Sequence, residues 1–304
     1  VEGKGTHSGN EPDLWENASL EESFVLASSK LSDHCIRHIS DLPRSLRFEI
    51  DKGYSTGFSN LDNYLKGLRK GEVTVITADT GCGKTTFCTQ IMVQCAMQNI
   101  PVWINSWEMR PEVILRKLAS LVLRRPMKIC AFTEHENEQF DEWCNRYKVY
   151  INEDTTGMDI DGLSKKLKAA KAMGVEIVML DHLDYLVNFR REKLHEAIDE
   201  TVKRLHELAF SLEMHFFLIC HPRQSSTGNE EVGIHSLKGS SSIKQYADNV
   251  LILHRTSRTD PTSHAGKMKV RIAKNRMFGT EGVCFLFYQP EWDGYIEFIE
   301  PKGN

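Results

Sequence analysis

One stretch, Ala78-Asp79-Thr80-Gly81-Cys82-Gly83-Lys84-Thr85-Thr86, constrains this chain more than any other. An apolar, β-branched run, Val73-Thr74-Val75-Ile76-Thr77, leads into it, and a helix-compatible run from Phe87 to Asn99 leads out. Small residues let the backbone wrap a polyphosphate, while several N–H groups and a helix N-terminus face the anion. Lys84 supplies a mobile positive charge, and Thr85 can place its hydroxyl on Mg²⁺. The pattern G-x-x-x-x-G-K-[ST] is met except at its first position, where Ala78 replaces glycine. Alanine is small enough for a strand-to-loop junction. The blander alternative is a βα turn that happens to contain Gly-Lys-Thr, and the flanking strand and helix argue against it. The stretch reads as a nucleotide site.

Bulk properties narrow the rest. At 304 residues the chain has room for one large α/β domain plus an extension. No apolar run approaches the roughly 20 residues that span a bilayer. A net charge of −4 does not point to wholesale coating by nucleic acid, so a nucleic-acid site would be a local basic patch. Eight cysteines are scattered without a C-x-x-C pair, which favours reduced thiols over a disulfide framework or structural zinc. The chain opens on Val1 and not on Met, so a fragment whose targeting region has been removed is expected.

Residues 1–18, rich in Gly, Glu, Ser and Asn, read as a disordered arm. Ser19-Leu20-Glu21-Glu22 is a capping-box pattern ahead of Phe24, Val25, Leu26 and Leu31, which predicts a short amphipathic helix within a linker, 19–52. That helix could pack on its own domain or dock on a neighbouring subunit. A short helix over Leu61–Leu65, ended by Gly67, precedes the first core strand. After the phosphate loop come a strand at Pro101–Ser106, a helix opened by Pro111, a mixed stretch at 126–147 with no clear element, and a short strand at 149–151. A helix from Asp161 to Gly174 follows, then an apolar strand at Glu176–Asp181, an amphipathic helix over 192–212 and a strand at His215–Cys220. Strands alternating with helices of this length predict a parallel, doubly wound α/β sheet. From residue 248 the pattern changes to strands without helices (248–254, 267–274, 282–288 and 294–299), read as an antiparallel extension of the same sheet.

In such sheets functional groups collect past the carboxyl ends of the strands. The polar residues there are Glu108, Asp181 and His221. Asp181 follows four apolar residues, as a Mg²⁺-organising aspartate requires; the bland reading is a capping Asp. Glu108 is the natural general base for an attacking water. His221 could sense the γ-phosphate, or be an ordinary loop histidine. Asp181-His182-Leu183-Asp184 is rejected as a transition-metal site, because its two carboxylates and one histidine cannot all point the same way.

At this point the residues carry a family resemblance. From about Phe58 to Ile299 the chain resembles the helicase domain of Twinkle-like mitochondrial replicative helicases and bacteriophage primase–helicases, the DnaB-like branch of the RecA fold. The matching segments are Gly71–Val75, the phosphate loop, Ser106-Trp107-Glu108, Leu180-Asp181-His182 and Ile219–Arg223, then Ala247–Leu253 and Ala273–Gly279. They occur in the family's order and spacing. The resemblance implies a RecA-like P-loop core over 53–304, ATP or another NTP with Mg²⁺, and a hexameric or heptameric ring on single-stranded DNA. It also implies contact with a replication polymerase and a single-strand-binding protein, and a mitochondrial location. Arg276 matches an arginine finger acting on the neighbouring subunit's γ-phosphate, and Lys274 its basic companion. Arg255 and Tyr288 fall where the family sandwiches the nucleotide base. Arg223 to Lys238 match the central-channel loop, followed by Gly239 and Ser240 at a helix start suited to phosphate.

Two departures stand out besides Ala78. In the channel loop Arg223 and Lys238 are offset by Glu230 and Glu231, whereas strand tracking draws on several cations. No primase-like or zinc-binding N-terminal domain lies within this chain, so priming is not expected of it. The leading expectation is an NTP-driven ring helicase. The alternatives are an ATP-binding assembly module without unwinding, and a recombinase-type filament of the same fold.

Overall fold

Six consecutive buried residues, Val73–Ala78, form the central strand β1. A run with no solvent face must be covered on both sides, and helices do so here. In this computed structural model the described residues are 52–126, 128, 131–153, 158–187, 194–222, 240–255 and 267–297. The chain divides between Asp51 and Lys52, and everything described belongs to the second unit. The arm and linker helix expected before residue 52 lie outside the described residues, as do Arg223, Lys238, Gly239 and the connection at 256–266.

The elements run α1 (Ser59–Leu65), β1, α2 (Lys84–Met97), β2 (Val102–Ser106), α3 (Pro111–Leu123), α4 (Glu134–Arg146), β3 (Val149–Ile151), α5 (Ile160–Ala172) and β4 (Ile177–Asp181). After a 3₁₀ turn (Leu183–Tyr185) come α6 (Leu194–Leu212), β5 (His215–Cys220), α7 (Ser240–Tyr246), β6 (Asn249–Arg255), β7 (Lys267–Asn275), β8 (Gly282–Gln289) and β9 (Gly294–Glu297). They build one nine-stranded sheet ordered β3-β2-β4-β5-β1-β6-β7-β8-β9. Every pair from β3 to β6 is parallel. β7, β8 and β9 extend the sheet as antiparallel strands. The expected doubly wound core with an antiparallel extension is therefore what the chain adopts.

Strand alternation splits the core in two. Ile76, Ile104, Met179, Phe217 and Ile219 pack beneath Phe87, Ile91 and Met92 of α2 and Ile114 and Leu118 of α3. On the opposite face Val75, Val178, Leu180, Phe216 and Leu218 meet Leu163 and Leu167 of α5, Ile198, Val202 and Leu205 of α6 and Ile243 of α7. Burying each of these side chains contributes about 1.5–3 kcal/mol relative to leaving it exposed, so the two layers fix the strand ends firmly. Among the described residues no helix is long and apolar enough to cross a membrane.

Local departures have physical causes. α1 ends on Lys66, which takes the left-handed conformation and returns its N–H to Asp62 O, one residue before the expected stop at Gly67. The mixed stretch at 126–147 contains α4, opened by a capping box in which Thr133 and Glu136 satisfy each other's backbone N–H groups. Only Trp143 of α4 is buried, which is why no apolar stripe announces this helix.

Candidate nucleotide-hydrolysis site

The strand register decides where the polar groups meet. Ser106 lies beside Asp181, Asp181 beside Ile219, and Thr77 beside Cys220, so the carboxyl ends of β2, β4, β5 and β1 are flush. The phosphate loop, Glu108, Asp181 and His221 accordingly share one rim of the sheet. A backbone bond from Trp107 N–H to Asp181 O (2.9 Å) ties the Glu108 segment to the end of β4.

The loop's small residues have separate reasons. Ala78 closes β1 in register with Leu253 and is fully buried. It is not among the residues with positive φ, so glycine is not needed at this first position. Gly83 is different: its φ is +91°, and a Cβ there would sit 2.1 Å from the Tyr295 hydroxyl. Lys84 opens α2 and folds its ammonium back into the loop, donating to Ala78 O (2.9 Å) and Asp79 O (3.2 Å). Burial pushes its pKa down, although Cys82, Asp181 and Glu108 act the other way. A desolvated cation in a ring of backbone dipoles has most to gain from an incoming phosphate.

One residue on, Thr85 Oγ1 donates to Asp181 Oδ2 at 2.9 Å, and Ser106 Oγ lies 3.5 Å from the same oxygen. Asp181 is 1% exposed, and burial raises its pKa. The pair fits Mg²⁺: both donors are hard oxygens, and neighbouring ligands of an octahedral Mg²⁺ are also about 2.9 Å apart, given bonds of roughly 2.0–2.1 Å. Cation binding also relieves the cost of a buried carboxylate.

Glu108 projects half-exposed beyond β2, with its Oε2 3.3 Å from His182 Nδ1. His182 in turn meets His221 edge to face, ring centroids 4.3 Å apart. Burial first, and Lys84 second, lower the pKa of His221, which favours the neutral ring. The donors of Asp181 to Asp184 do diverge, as their spacing in sequence requires. Asp181 turns to Thr85, His182 turns to Glu108, and Asp184 Oδ2 stays 4.0 Å from His182 Nε2.

Beside the loop lies a cavity of about 200 Å³ lined by Gly81, Cys82, Gly83, Thr86, Arg255, Met268, Tyr288 and Tyr295. The Arg255 guanidinium carbon is 6.0 Å from the Tyr288 ring centroid. A base held between them needs about 3.5 Å on each face, about 7 Å in all, so the two side chains stand about 1 Å too close and must part to admit one. Tyr288 is fixed by a hydrogen bond to Asp293 Oδ1.

Lys274 and Arg276 are elsewhere. Arg276 N–H bonds Asp248 O, and Asp248 N–H bonds Val73 O, which places both at the starting end of β1. That is the rim opposite the phosphate loop, about 16 Å away along a strand rising about 3.3 Å per residue. Arg276 faces Asp248 (Nη1 to Oδ1, 3.3 Å) and donates to Gln245 O, with its side chain 40% exposed. Lys274 Nζ donates to Lys244 O and to Ala247 O (2.6 Å) at the end of α7, and burial lowers its pKa. An arginine on that rim cannot reach the phosphate loop of its own subunit. Of the expected DNA contacts only Ser240 is described, as the first residue of α7.

The family described as DnaB-like helicase C-terminal domain matches residues 53–297. The chain belongs to that family. It is 26% identical over 265 residues to a DNA helicase/primase of Enterobacteria phage T3, covering 81% of this chain and 44% of that protein. It is 24% identical over 301 residues to the replicative DNA helicase DnaB of Leifsonia xyli subsp. xyli, covering 90% and 64%. Among solved structures, a DnaB-like replicative helicase studied with its primase superposes with a TM-score of 0.74 at 20% identity, covering 91% of this chain and 71% of that one. A second solved chain, an isolated ATPase domain, gives 0.73 at 19% identity, covering 93% and 100%. The chain thus spans about half to two thirds of the length of these two sequence relatives.

Lys117 and Tyr295 of this DnaB-like domain's site were not singled out from sequence, and His182 was named there without a role of its own. Lys117 of α3 donates to Thr86 Oγ1 (3.1 Å) and is partly buried, with its pKa lowered by that burial. Its signal was a lysine on the same helical stripe as Ile114, Leu118 and Leu121. Tyr295 packs its hydroxyl over Gly83, and His182 links Glu108 to His221. Neither carried a local sign of its partner.

Proposed function

We propose that this chain is the motor of a ring helicase that hydrolyses ATP or another NTP with Mg²⁺, moves on single-stranded DNA and separates duplex during replication. The observation that carries this reading is the split of the hydrolytic groups between two rims. Lys84, Thr85, Glu108, Asp181 and His221 converge at one end of β1, while Arg276 stands half-exposed at the other. A subunit arranged this way completes its site only against a neighbour.

In that reading Lys84 donates to the β- and γ-phosphates. Thr85 and Asp181 hold Mg²⁺, which when bound neutralises phosphate charge. The Glu108 carboxylate orients water and accepts its proton. Neutral His221 touches the γ-phosphate, and the base lies between Arg255 and Tyr288. Arg276 of one subunit stabilises the charge developing at the next, a contribution of roughly 10³–10⁵ in rate for phosphoryl transfer. The fold likeness to a DnaB-like helicase studied with its primase supports a primase as partner, and membership of the DnaB-like family supports a hexameric or heptameric ring. A Twinkle-type identity and a mitochondrial location belong to the same proposal, supported by the likeness of the motif segments; imaging of a tagged full-length protein tests the location.

The near-balance of charge between Arg223, Lys238, Glu230 and Glu231 favours a second reading, an NTP-binding assembly module without unwinding. One experiment separates them: hydrolysis titrated with single-stranded DNA at two salt concentrations, alongside unwinding of a forked duplex. The helicase reading expects salt-sensitive stimulation and strand separation. Hydrolysis indifferent to DNA, with no unwinding and nucleotide-dependent association retained, supports the assembly module.

A further inference from the structure

Glu108, His182 and His221 come from three different strand ends, and their donor atoms lie within 4.8 Å of one another. We propose that these three side chains form a site for a borderline transition-metal ion of the zinc class, distinct from the all-oxygen Thr85–Asp181 pair, and that filling it stops hydrolysis. The site rests on geometry alone; the arrest rests on the reading of Glu108 as the residue that handles water.

The donor set is chemically selective. Two imidazoles and one carboxylate suit zinc, cobalt, nickel or copper, whereas Mg²⁺ takes oxygen ligands and keeps its waters. The spacing is close to what such an ion needs: tetrahedral bonds of roughly 2.0–2.1 Å put neighbouring ligands about 3.3 Å apart. His182 Nδ1 and Glu108 Oε2 are already separated by 3.3 Å. His221 completes the set within 4.8 Å, and Glu108, whose side chain is 45% exposed, has room to turn towards it. His182, only 12% exposed, is held by Tyr185 on one side and His221 on the other, ring centroids 4.8 and 4.3 Å away. Its second nitrogen faces Asp184 Oδ2 at 4.0 Å, the carboxylate–histidine arrangement that orients a metal-bound imidazole. The exposed carboxylate also supplies a route for the ion from solvent.

Occupation has a direct consequence. A carboxylate oxygen bound to the ion can no longer accept a proton from water, and an imidazole bound to it can no longer meet a phosphate. The ion is thus an inhibitor that acts at the water side and leaves the phosphate loop intact.

The test uses Co²⁺ as an optical probe on the full chain, followed by Zn²⁺ inhibition of hydrolysis in excess Mg²⁺. The expected result is visible d–d absorption without a thiolate charge-transfer band, lost when Zn²⁺ displaces the probe. His182→Gln and Glu108→Gln should each weaken Co²⁺ binding by about tenfold or more. Glu108 is half exposed, so its variant keeps the test sound if His182→Gln does not fold. Zn²⁺ should halve the wild-type rate, reversed by a chelator, and His182→Gln, scaled to its own zinc-free rate, should need about tenfold more Zn²⁺. No d–d absorption, a thiolate band, or Zn²⁺ inhibition unchanged by the substitutions overturns the proposal. A protein that binds Co²⁺ in this way but never hydrolyses NTP contradicts the helicase reading and leaves the site standing. Normal hydrolysis without the cobalt spectrum removes the site alone.

Discussion

Thr85 Oγ1 and Asp181 Oδ2 lie 2.9 Å apart, joined across 96 residues of sequence, and they connect the first turn of α2 to the end of β4. The distance suits two neighbouring ligands of one hard cation as well as it suits a hydrogen bond. Asp181→Asn should therefore act through the metal. Turnover at saturating NTP is expected to fall by at least about 10–100-fold, with the Mg²⁺ needed for half-maximal rate rising, while Mg²⁺-free nucleotide binding changes little. A Mg²⁺ titration of the variant checks this; an unchanged magnesium requirement speaks against the assignment.

Lys84 is a desolvated ammonium whose bonds go to Ala78 O and Asp79 O. Lys84→Ala removes the charge aimed at the phosphates and should lower kcat by at least about 10²–10³-fold, with weaker nucleotide binding. Steady-state kinetics together with a fluorescent nucleotide titration read both effects. Near-normal turnover would overturn the phosphate-loop assignment.

His215 gives a stability prediction independent of function. The ring is completely buried, its Nδ1 2.8 Å from Arg69 O, and burial pushes its pKa down to about 4. The unfolded chain takes up this proton below its ordinary value near 6.5, whereas the folded chain resists until about 4. The contribution is complete above pH 6.5 and is lost progressively as the pH falls towards 4, on the order of 3 kcal/mol in all. Urea midpoints at about pH 7.5 and about pH 5 measure it. His215→Asn should flatten that dependence; an unchanged slope means another group carries it.

What the sequence revealed follows from what is local. Buried parallel strands read as unbroken apolar runs, so their polar ends, Glu108, Asp181 and His221, stood out without any tertiary knowledge. The phosphate loop was legible because backbone conformation demands its residue types. Lys117 and His182 were not, since the partners that give them meaning, Thr86 and Glu108, lie 31 and 74 residues away. Helix α4 fell between: its Thr133–Glu136 capping box was readable, but a single buried residue left no stripe. Arg276 was placed by resemblance alone, and the sheet then put it on the rim opposite the phosphate loop, out of reach of its own subunit's loop. Lys274, named beside it, spends its ammonium on the carbonyls of Lys244 and Ala247 in its own subunit.

If the phosphate loop is one side of a site shared with a neighbour, as proposed, two variants inactive alone should complement each other when mixed. On the proposed reading Arg276→Ala removes the finger, together with its own-subunit contacts to Asp248 and Gln245 O, and Glu108→Ala removes the water-handling carboxylate. Each alone should bind NTP but hydrolyse it roughly 10³-fold or more slowly than wild type. Mixed in equal amounts, the two variants form some junctions that pair an intact Glu108 with an intact Arg276, and DNA-stimulated hydrolysis should return to a measurable fraction of the wild-type rate. A mixture that mixes by exchange assay yet stays as inactive as its components would contradict the account.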